Sequence, residues 1–417
     1  MKSSMANIDV YAWVLESSTQ LLNAKISNIY VPRENFYVLK LRMRNGITTY
    51  LAIEPSKRIH ITKMHIRGTG LISGKLQLIR RLLRNCTIES IKQVEFERIV
   101  SIELRCGNEK RYLVVELLPR GTLCVLDNEW KILFASESRS MKHRIIRPGV
   151  KYILPPLSPN PLKLNIEELK KLAEKGKDIV RGLVRGWGLP GELAEELLAR
   201  ANINKKKKPT ELSEQEWELL LREFKRIINE VAKNLKGYIV KEVSGEFYSF
   251  HPYKPLLLPP NTEILEYDSF NETLDKYFTV IESKIASEIA RKDLEKEIGK
   301  LEATAKSIEK HIERLKEELE NTKRKLDVFI NNYLEIENIY ECIDKFIKMK
   351  KWNSITMCTN VKNYDPAHGI VIIQINDESL ELDVRKSLIE NYNSYKAKIS
   401  GISRSIERAS TELNRIR

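Results

Sequence analysis

The chain has 417 residues, with 71 Lys and Arg against 57 Asp and Glu, a formal charge of +14. That length exceeds one ordinary domain and predicts roughly two to four units, and the basic balance points to a polyanionic partner, nucleic acid or an anionic membrane. No run approaches the roughly 18 to 20 apolar residues of a membrane span, and Met1-Lys2-Ser3-Ser4 opens no signal-peptide core, so a soluble cytoplasmic protein without a membrane partner is expected.

From the N-terminus, Val10, Trp13, Val14, Leu21 and Leu22 mark a first helix between Ile8 and Ala24. Strand-like runs Phe36–Leu41 and Thr48–Ile53 flank Asn45-Gly46, a two-residue hairpin signal. Lys75–Arg84 reads as a basic helix with Leu76, Leu78, Ile79, Leu82 and Leu83 inward, leaving Arg80, Arg81 and Arg84 on the other side. Three strands follow at Ile99–Leu104, Tyr112–Leu118 and Thr122–Leu126, and Asp127-Asn128 turns into Lys131–Ala135. A β-rich lobe over residues 1–160 results, closed by the Pro-rich stretch 155–161, because Pro lacks the ladder donor and fixes φ.

Residues 161–235 read as a helical subdomain. Within Ile166–Asn202, the stretch Val184–Gly191 breaks the helical period and resembles a helix-hairpin-helix turn. In that motif backbone N–H groups near Gly188 and Gly191 receive phosphate oxygens. The alternative is a plain corner between helices, in keeping with Glu192, Glu195 and Glu196 on the second one. Lys205–Lys208 form a basic tract. Ser213-Glu214-Gln215-Glu216 is a capping box opening an amphipathic helix through Trp217, Leu220, Phe224, Ile227, Ile228 and Val231. Over 236–270, strands Gly237–Val240 and Phe247–Phe250 are expected to rejoin the first lobe's sheet.

The C-terminal part is organised by heptads. Leu294, Ile298, Leu301, Ala305, Ile308, Ile312, Leu315, Leu319, Thr322, Leu326 and Phe329 alternate spacings of four and three, the period of a coiled-coil seam. Leu388, Tyr392, Tyr395, Ile399, Ile402, Ile406, Ala409, Leu413 and Ile416 repeat it. The expectation is a long antiparallel coiled coil: a first arm at 271–330, a small middle lobe at 331–387 on its tip, and a second arm at 388–417. Two helices of a bundle, or one arm of a parallel homodimer, are the alternatives. Pairing a with d opposes Leu326 to Leu388, Thr322 to Tyr392 and Ile298 to Ile416, and a register one heptad either way is also allowed. No Gly or Pro stop signal precedes Arg417, so the second arm is expected to be truncated.

Cys86, Cys106, Cys124, Cys342 and Cys358 are scattered, odd in number and without a C-x-x-C pair, so neither disulfides nor a zinc site is expected. The six histidines are dispersed as well, and no metal or cofactor is expected. Nucleophile elbow, P-loop and paired-carboxylate motifs are absent, which argues against an enzyme. Cationic side chains of the first lobe, namely Arg80, Arg81, Arg84, Arg98, Arg111, Arg120, Arg139, Lys142, His143 and Arg144, offer phosphate contacts, each steepening the salt dependence of binding by about one unit. Tyr112 and Trp130 are available either for base stacking or for packing.

Several stretches in order resemble the NFACT family, which includes RqcH and the nuclear export mediator factor. They are Ala24–Pro32, Ile88–Gln93 leading to Glu97–Val100, Leu113–Leu117 before Gly121, Arg147–Tyr152 before Pro155-Pro156, Asn271–Phe278 and Leu382–Ser387. The resemblance implies an α+β multidomain fold: a first lobe like formamidopyrimidine-DNA glycosylase, a helix-hairpin-helix unit, and a coiled coil with a middle lobe. It implies binding to the large ribosomal subunit, its rRNA and a stalled peptidyl-tRNA, and recruitment of tRNA for untemplated C-terminal tailing, with the peptide bond made by the ribosome. The family's Asp-Arg pair for tRNA falls on Glu97-Arg98, an acid one methylene longer, and the Asn that often follows Gly121 is Thr122 here. Glycosylase chemistry is not implied, since that family uses an N-terminal proline and this chain starts Met1-Lys2. Glu97 is expected to form an ion pair with Arg98 or another neighbour. The rival readings are a coiled-coil scaffold or adhesin without RNA and a helix-hairpin-helix DNA-repair protein.

Overall fold

The computed structural model describes residues 1–64 and 74–417. The chain divides into two compact units, Met1–Ile285 and Ala286–Arg417.

In the first unit, α1 (Asn7–Gln20) precedes β1 (Lys25–Arg33), β2 (Phe36–Arg42), β3 (Thr48–Glu54) and β4 (Arg58–Thr62). After α2 (Gly74–Leu83) come β5 (Thr87–Gln93), β6 (Ile99–Cys106), β7 (Glu109–Glu116), β8 (Leu123–Leu126) and β9 (Ile132–Ala135). These nine strands form one sheet in the order β4-β3-β2-β1-β5-β6-β7-β8-β9, and the pairings between neighbours are antiparallel. Its inner face carries Ile26, Ile29, Leu39, Leu51, Val100, Ile102, Leu113 and Val115, packed with Trp13 of α1 and Leu76, Ile79 and Leu83 of α2. The β2–β3 loop is wider than the two residues that Asn45-Gly46 suggests. Gly46 N–H donates to Met43 O, Met43 N–H donates to Ile47 O, and Gly46 alone takes φ +83° while Asn45 stays out of the positive-φ region. A type I turn plus a left-handed glycine gives this arrangement, whereas a type I′ turn needs two positive φ values.

A two-stranded ribbon, β10 (Arg139–Ser140) with β11 (Ile145–Ile146), follows the sheet. The helices α3 (Ile166–Ala173), α4 (Ile179–Gly186), α5 (Gly191–Arg200) and α6 (Glu214–Asn234) come next. Ser213 and Glu216 close the expected capping box on α6. Then β12 (Gly237–Glu242), β13 (Phe247–His251) and β14 (Thr262–Tyr267) form a sheet of their own, ordered β13-β12-β14. They share the first lobe's core through Ile239 and Phe250 but do not extend the nine-stranded sheet. The free edge of β4 is already taken. The Asn271 side chain accepts from Ile61 N–H at 2.7 Å and donates to Ile61 O at 3.0 Å, and Lys63 N–H donates to Asp275 at 3.1 Å. With those backbone groups satisfied, the edge has little left to offer another strand.

The helix α7 (Phe270–Asn331) starts in the first unit and ends in the second. The second unit adds α8 (Tyr333–Lys348), the sheet β15 (Val361–Asp365), β16 (Ile370–Ile375) and β17 (Glu378–Asp383), and α9 (Leu388–Ile416). Its core joins Phe329, Ile336, Ile339 and Ile343 to Val371, Ile373, Leu380 and Leu382. In this unit α7 and α9 run antiparallel, with Lys398 paired to Glu318 at 3.0 Å and Arg417 paired to Glu309. Near the tip the contact follows the alternative register, one heptad along. Tyr392 meets Phe329, with ring centroids 6.1 Å apart, rather than Thr322 one heptad earlier. Ile416 stays beside Ile298, Leu301 and Ala305.

Two disulfides overturn the expectation of none: Cys86–Cys106 and Cys342–Cys358, with Cys124 free and buried. The β5–β6 register places Thr87 opposite Arg105, so Cys86 and Cys106 face each other one position on. Spacing along the chain carries no trace of that adjacency.

Candidate nucleic-acid interface

One end of the large sheet gathers three connections: the β5–β6 turn, the β7–β8 turn and the β10–β11 ribbon. Glu116 closes β7 and is buried there. Arg144 grips it with both guanidinium nitrogens, at 2.5 and 2.8 Å, and Tyr152 donates to it at 2.6 Å. Burial acts against the Arg144 charge, but the Glu116 hydrogen bonds outweigh it and raise the Arg144 pKa. Burial, with the Glu116 charge beside it, raises the Tyr152 hydroxyl far above its usual range. This network ties the ribbon to the sheet, so Arg144 is a structural cation and not a free phosphate contact.

The β7–β8 turn needs glycine at 121. A Cβ there would lie 2.0 Å from Glu116 O, while Gly121 N–H donates to Leu118 O at 2.8 Å. Arg120, preceding it, holds φ +58°, a left-handed conformation that costs a non-glycine residue energy. Its carbonyl accepts from Arg139 at 2.6 Å. A cavity of about 510 Å³ opens here, lined by Arg120, Arg139, Lys142 and His143 together with Pro155 and Pro156. Lys142 and His143 are exposed. Arg139 is also paired to Glu137.

The adjacent β5–β6 turn carries Glu97 and Arg98. Glu97 accepts from Ser158 N–H at 2.9 Å, pinning the Pro-rich stretch. The expected Glu97–Arg98 ion pair does not form, and the neighbour that Glu97 takes is a backbone amide. Arg98 O accepts from Leu117 N–H at 2.7 Å, which sets the residue against the β7–β8 turn. Its guanidinium is half-buried and has no hydrogen bond or ion pair among the described residues. Burial lowers its pKa, and the Glu97 charge only partly offsets this.

The α4–α5 turn joins the same region. Gly188 has φ +70°, and a Cβ on it would come within 2.8 Å of the Ser158 Cβ. Gly188 O accepts from Asn7 at 2.8 Å. Thus Gly188 sits one residue contact from Glu97, through Ser158. Gly191 opens α5 with open space at its Cα, and the N-cap is Pro190, which supplies no side-chain acceptor. Glu192 in that first turn pairs with Lys2 at 2.5 Å, and Lys2 pairs with Asp9 at 2.8 Å. Burial raises the Asp9 pKa to about 6 against the pull of Lys2.

The remaining basic residues lie elsewhere. Arg111 donates to Leu82 O and pairs with Glu109. Glu116 lies five positions beyond Arg111 along β7, about 16 Å at strand rise, so the α2 cluster lies toward the sheet's other end. Arg80 donates to Ile29 O at 2.9 Å and braces α2 on β1. Arg81 and Arg84 are exposed. Tyr112 and Trp130 pack on each other with centroids 5.4 Å apart, and Trp130 reaches Tyr152 at 6.0 Å. They serve as packing groups for the β8–β9 end. Sequence reasoning passed over Ser158, Asn7 and Glu95, whose roles come from contacts between distant segments. Positive φ at Glu95, +50°, has no compositional signal.

Among known proteins, residues 7–417 match the family described as NFACT N-terminal and middle domains. The archaeal Rqc2 homolog aRqcH of Methanocaldococcus jannaschii is 28% identical over 95% of this chain and 63% of its own length. The ribosome quality control complex subunit NEMF of Mus musculus is 23% identical over 82% of this chain and 34% of its own length. The chain therefore spans less than two thirds of these relatives. The fibrinogen binding protein from Staphylococcus aureus shares the fold, with a TM-score of 0.54 at 20% identity over 66% of this chain and 98% of that one. With a match that runs from the first helix to the end of the second arm, the chain belongs to the NFACT family.

Proposed function

We propose that this chain is the RNA-engaging part of a ribosome-associated quality control factor, one that holds tRNA on an obstructed large ribosomal subunit. The observation that carries the reading is Arg98. A half-buried guanidinium without a hydrogen bond or ion pair among the described residues pays a desolvation cost that the Glu97 charge only partly offsets, and a phosphate or base edge supplies the missing acceptor. At the β7–β8 turn, to which the Arg98 backbone is bonded, Arg120, Lys142 and His143 line an open cavity, and the uncapped start of α5 presents backbone N–H groups. The relatives that match most of this chain bear Rqc2 and ribosome quality control names, which supports a ribosome-associated role; in this reading the partner is the large subunit with its rRNA and stalled peptidyl-tRNA. The chain brings no catalytic group of its own in this reading. Untemplated tailing of the nascent chain would use the ribosome's own peptidyl transfer. The work is cytoplasmic, and no helix among the described residues is long and apolar enough to cross a membrane.

The test is co-sedimentation with purified large subunits and tRNA across a salt series. Arg98→Glu is expected to lose tRNA while still sedimenting with subunits. Unaltered tRNA recruitment by that variant would sink the assignment.

A further inference from the structure

A second basic surface lies on the helical part of the first unit, on residues that the tRNA reading leaves unused. Along α6, Arg222, Lys225, Arg226 and Asn229 follow the i, i+3, i+4, i+7 spacing that puts side chains on one helix face. All four line a groove of about 610 Å³ between α6 and the first turn of α3, where Ile166 forms the opposite wall. Arg222 and Lys225 are exposed and have no ion pair or hydrogen bond among the described residues. Arg226 reaches Glu223 only at 3.6 Å. Among the described residues, Glu218 is the one carboxylate lining the groove, against three cations.

The groove's chemistry selects its ligand. Among the described residues, Ile166 and Leu221 are its only apolar lining residues, too few for the buried aromatic or aliphatic anchor on which peptide and protein partners depend. A row of cations with an amide alongside suits consecutive backbone phosphates, since Arg binds phosphate bidentately and Lys as a point charge. The groove is also connected to the Arg98 region. Glu95 in the β5–β6 turn holds Lys163 at 2.7 Å and Asn160 at 3.0 Å, and α3 begins three residues after Lys163. A polyanion leaving Arg98 therefore has a short path over residues 160–166 into the groove.

We infer that the α3–α6 groove is a second phosphate-backbone site, which takes the continuation of the RNA held at Arg98. It rests on the tRNA reading and extends it to a separate element. The experiment measures binding of a folded tRNA transcript to the full chain by fluorescence anisotropy over a range of salt concentrations. The compared variants are the triple neutral one, Arg222→Gln with Lys225→Gln and Arg226→Gln, and a control, Lys316→Gln with Lys323→Gln and Arg324→Gln on α7. The α6 triple is expected to flatten the log–log salt slope by about two to three units, near one for each phosphate released, with thermal stability unchanged. The control triple is expected to leave the slope as it was, and Arg222→Lys with Arg226→Lys is expected to keep most of it. A wild-type slope in the α6 triple would overturn the groove site alone. An equal loss in the control would overturn it in favour of diffuse charge attraction. No salt-dependent binding by the unaltered chain would overturn both the groove and the tRNA reading. If the α6 triple lost binding to phosphatidylserine vesicles and kept its tRNA slope, the groove would be a lipid contact and the RNA assignment would fall.

Discussion

Glu97 and Arg98 are adjacent and oppositely charged, yet they do not pair: Glu97 binds Ser158 N–H at 2.9 Å, and Arg98 is left without a partner among the described residues. The acid is consumed in holding the Pro-rich stretch, and the base is left without an acceptor among the described residues.

Arg98 should therefore cost the free protein rather than support it. Arg98→Gln removes a partly desolvated charge and is expected to leave the melting temperature unchanged or slightly raised. The same change removes charge-assisted hydrogen bonds worth about 1.5–3 kcal/mol, so tRNA affinity should fall by about tenfold to a hundredfold. Calorimetry of the free chain and binding measured side by side check both. A variant that unfolds more easily would show that Arg98 has a structural partner.

The Glu116–Arg144 pair should behave in the opposite way. Arg144→Met strands a buried carboxylate and is expected to cost about 3–5 kcal/mol. Adding Glu116→Leu should return much of that loss, because the stranded charge is then gone, and urea melts of the single and double variants measure the coupling. Strict additivity would contradict the buried pair.

Asp9 predicts a specific pH response. Its carboxyl is raised from 3.8 to about 6 in the folded chain, by burial foremost, with Lys2 opposing and Glu192 adding to the rise. A carboxyl raised on folding binds its proton more tightly in the native state. Its contribution is complete below the unfolded value and is lost as pH climbs through about 6. Asp9→Asn should flatten the decline in stability between about pH 4 and 6. Chemical melts at half-unit pH steps read this out, and an unchanged slope would exclude Asp9 as its source.

The two disulfides close loops with sequence separations of 20 and 16 residues, each worth about 3 kcal/mol in the chain-entropy description. Alkylation of the denatured, unreduced protein should label Cys124 alone. Reductant should then lower the melting temperature. Five labelled thiols without reductant would show that neither bridge forms.

Much of the architecture was legible locally. The antiparallel strands from Ile99 to Ala135 show themselves by alternation and turn residues, α6 by its capping box and 3.6-residue stripe, and the two long arms by their heptads. The resemblance pointed to Glu97-Arg98, and the structure sets that pair against the β7–β8 turn through the hydrogen bond from Leu117 N–H to Arg98 O. The charge list, however, did not separate the exposed cations from the structural ones. Arg144 and Arg80 read like Lys142 in sequence, yet Glu116 holds Arg144 and Ile29 O holds Arg80.

What the sequence determined by itself is therefore the set of elements and their polarity, because helix and strand periods depend on residues a few positions apart. What the tertiary structure alone decided is which polar groups are spent. Asn271, 210 residues from Ile61, satisfies the β4 edge and turns the later strands into a separate sheet. Cys86 reaches Cys106 through strand register. Glu97 is committed to Ser158, 61 residues away, so Arg98 stays available. Each outcome is a competition between distant partners for one donor or acceptor, and folding settles it only when those segments meet.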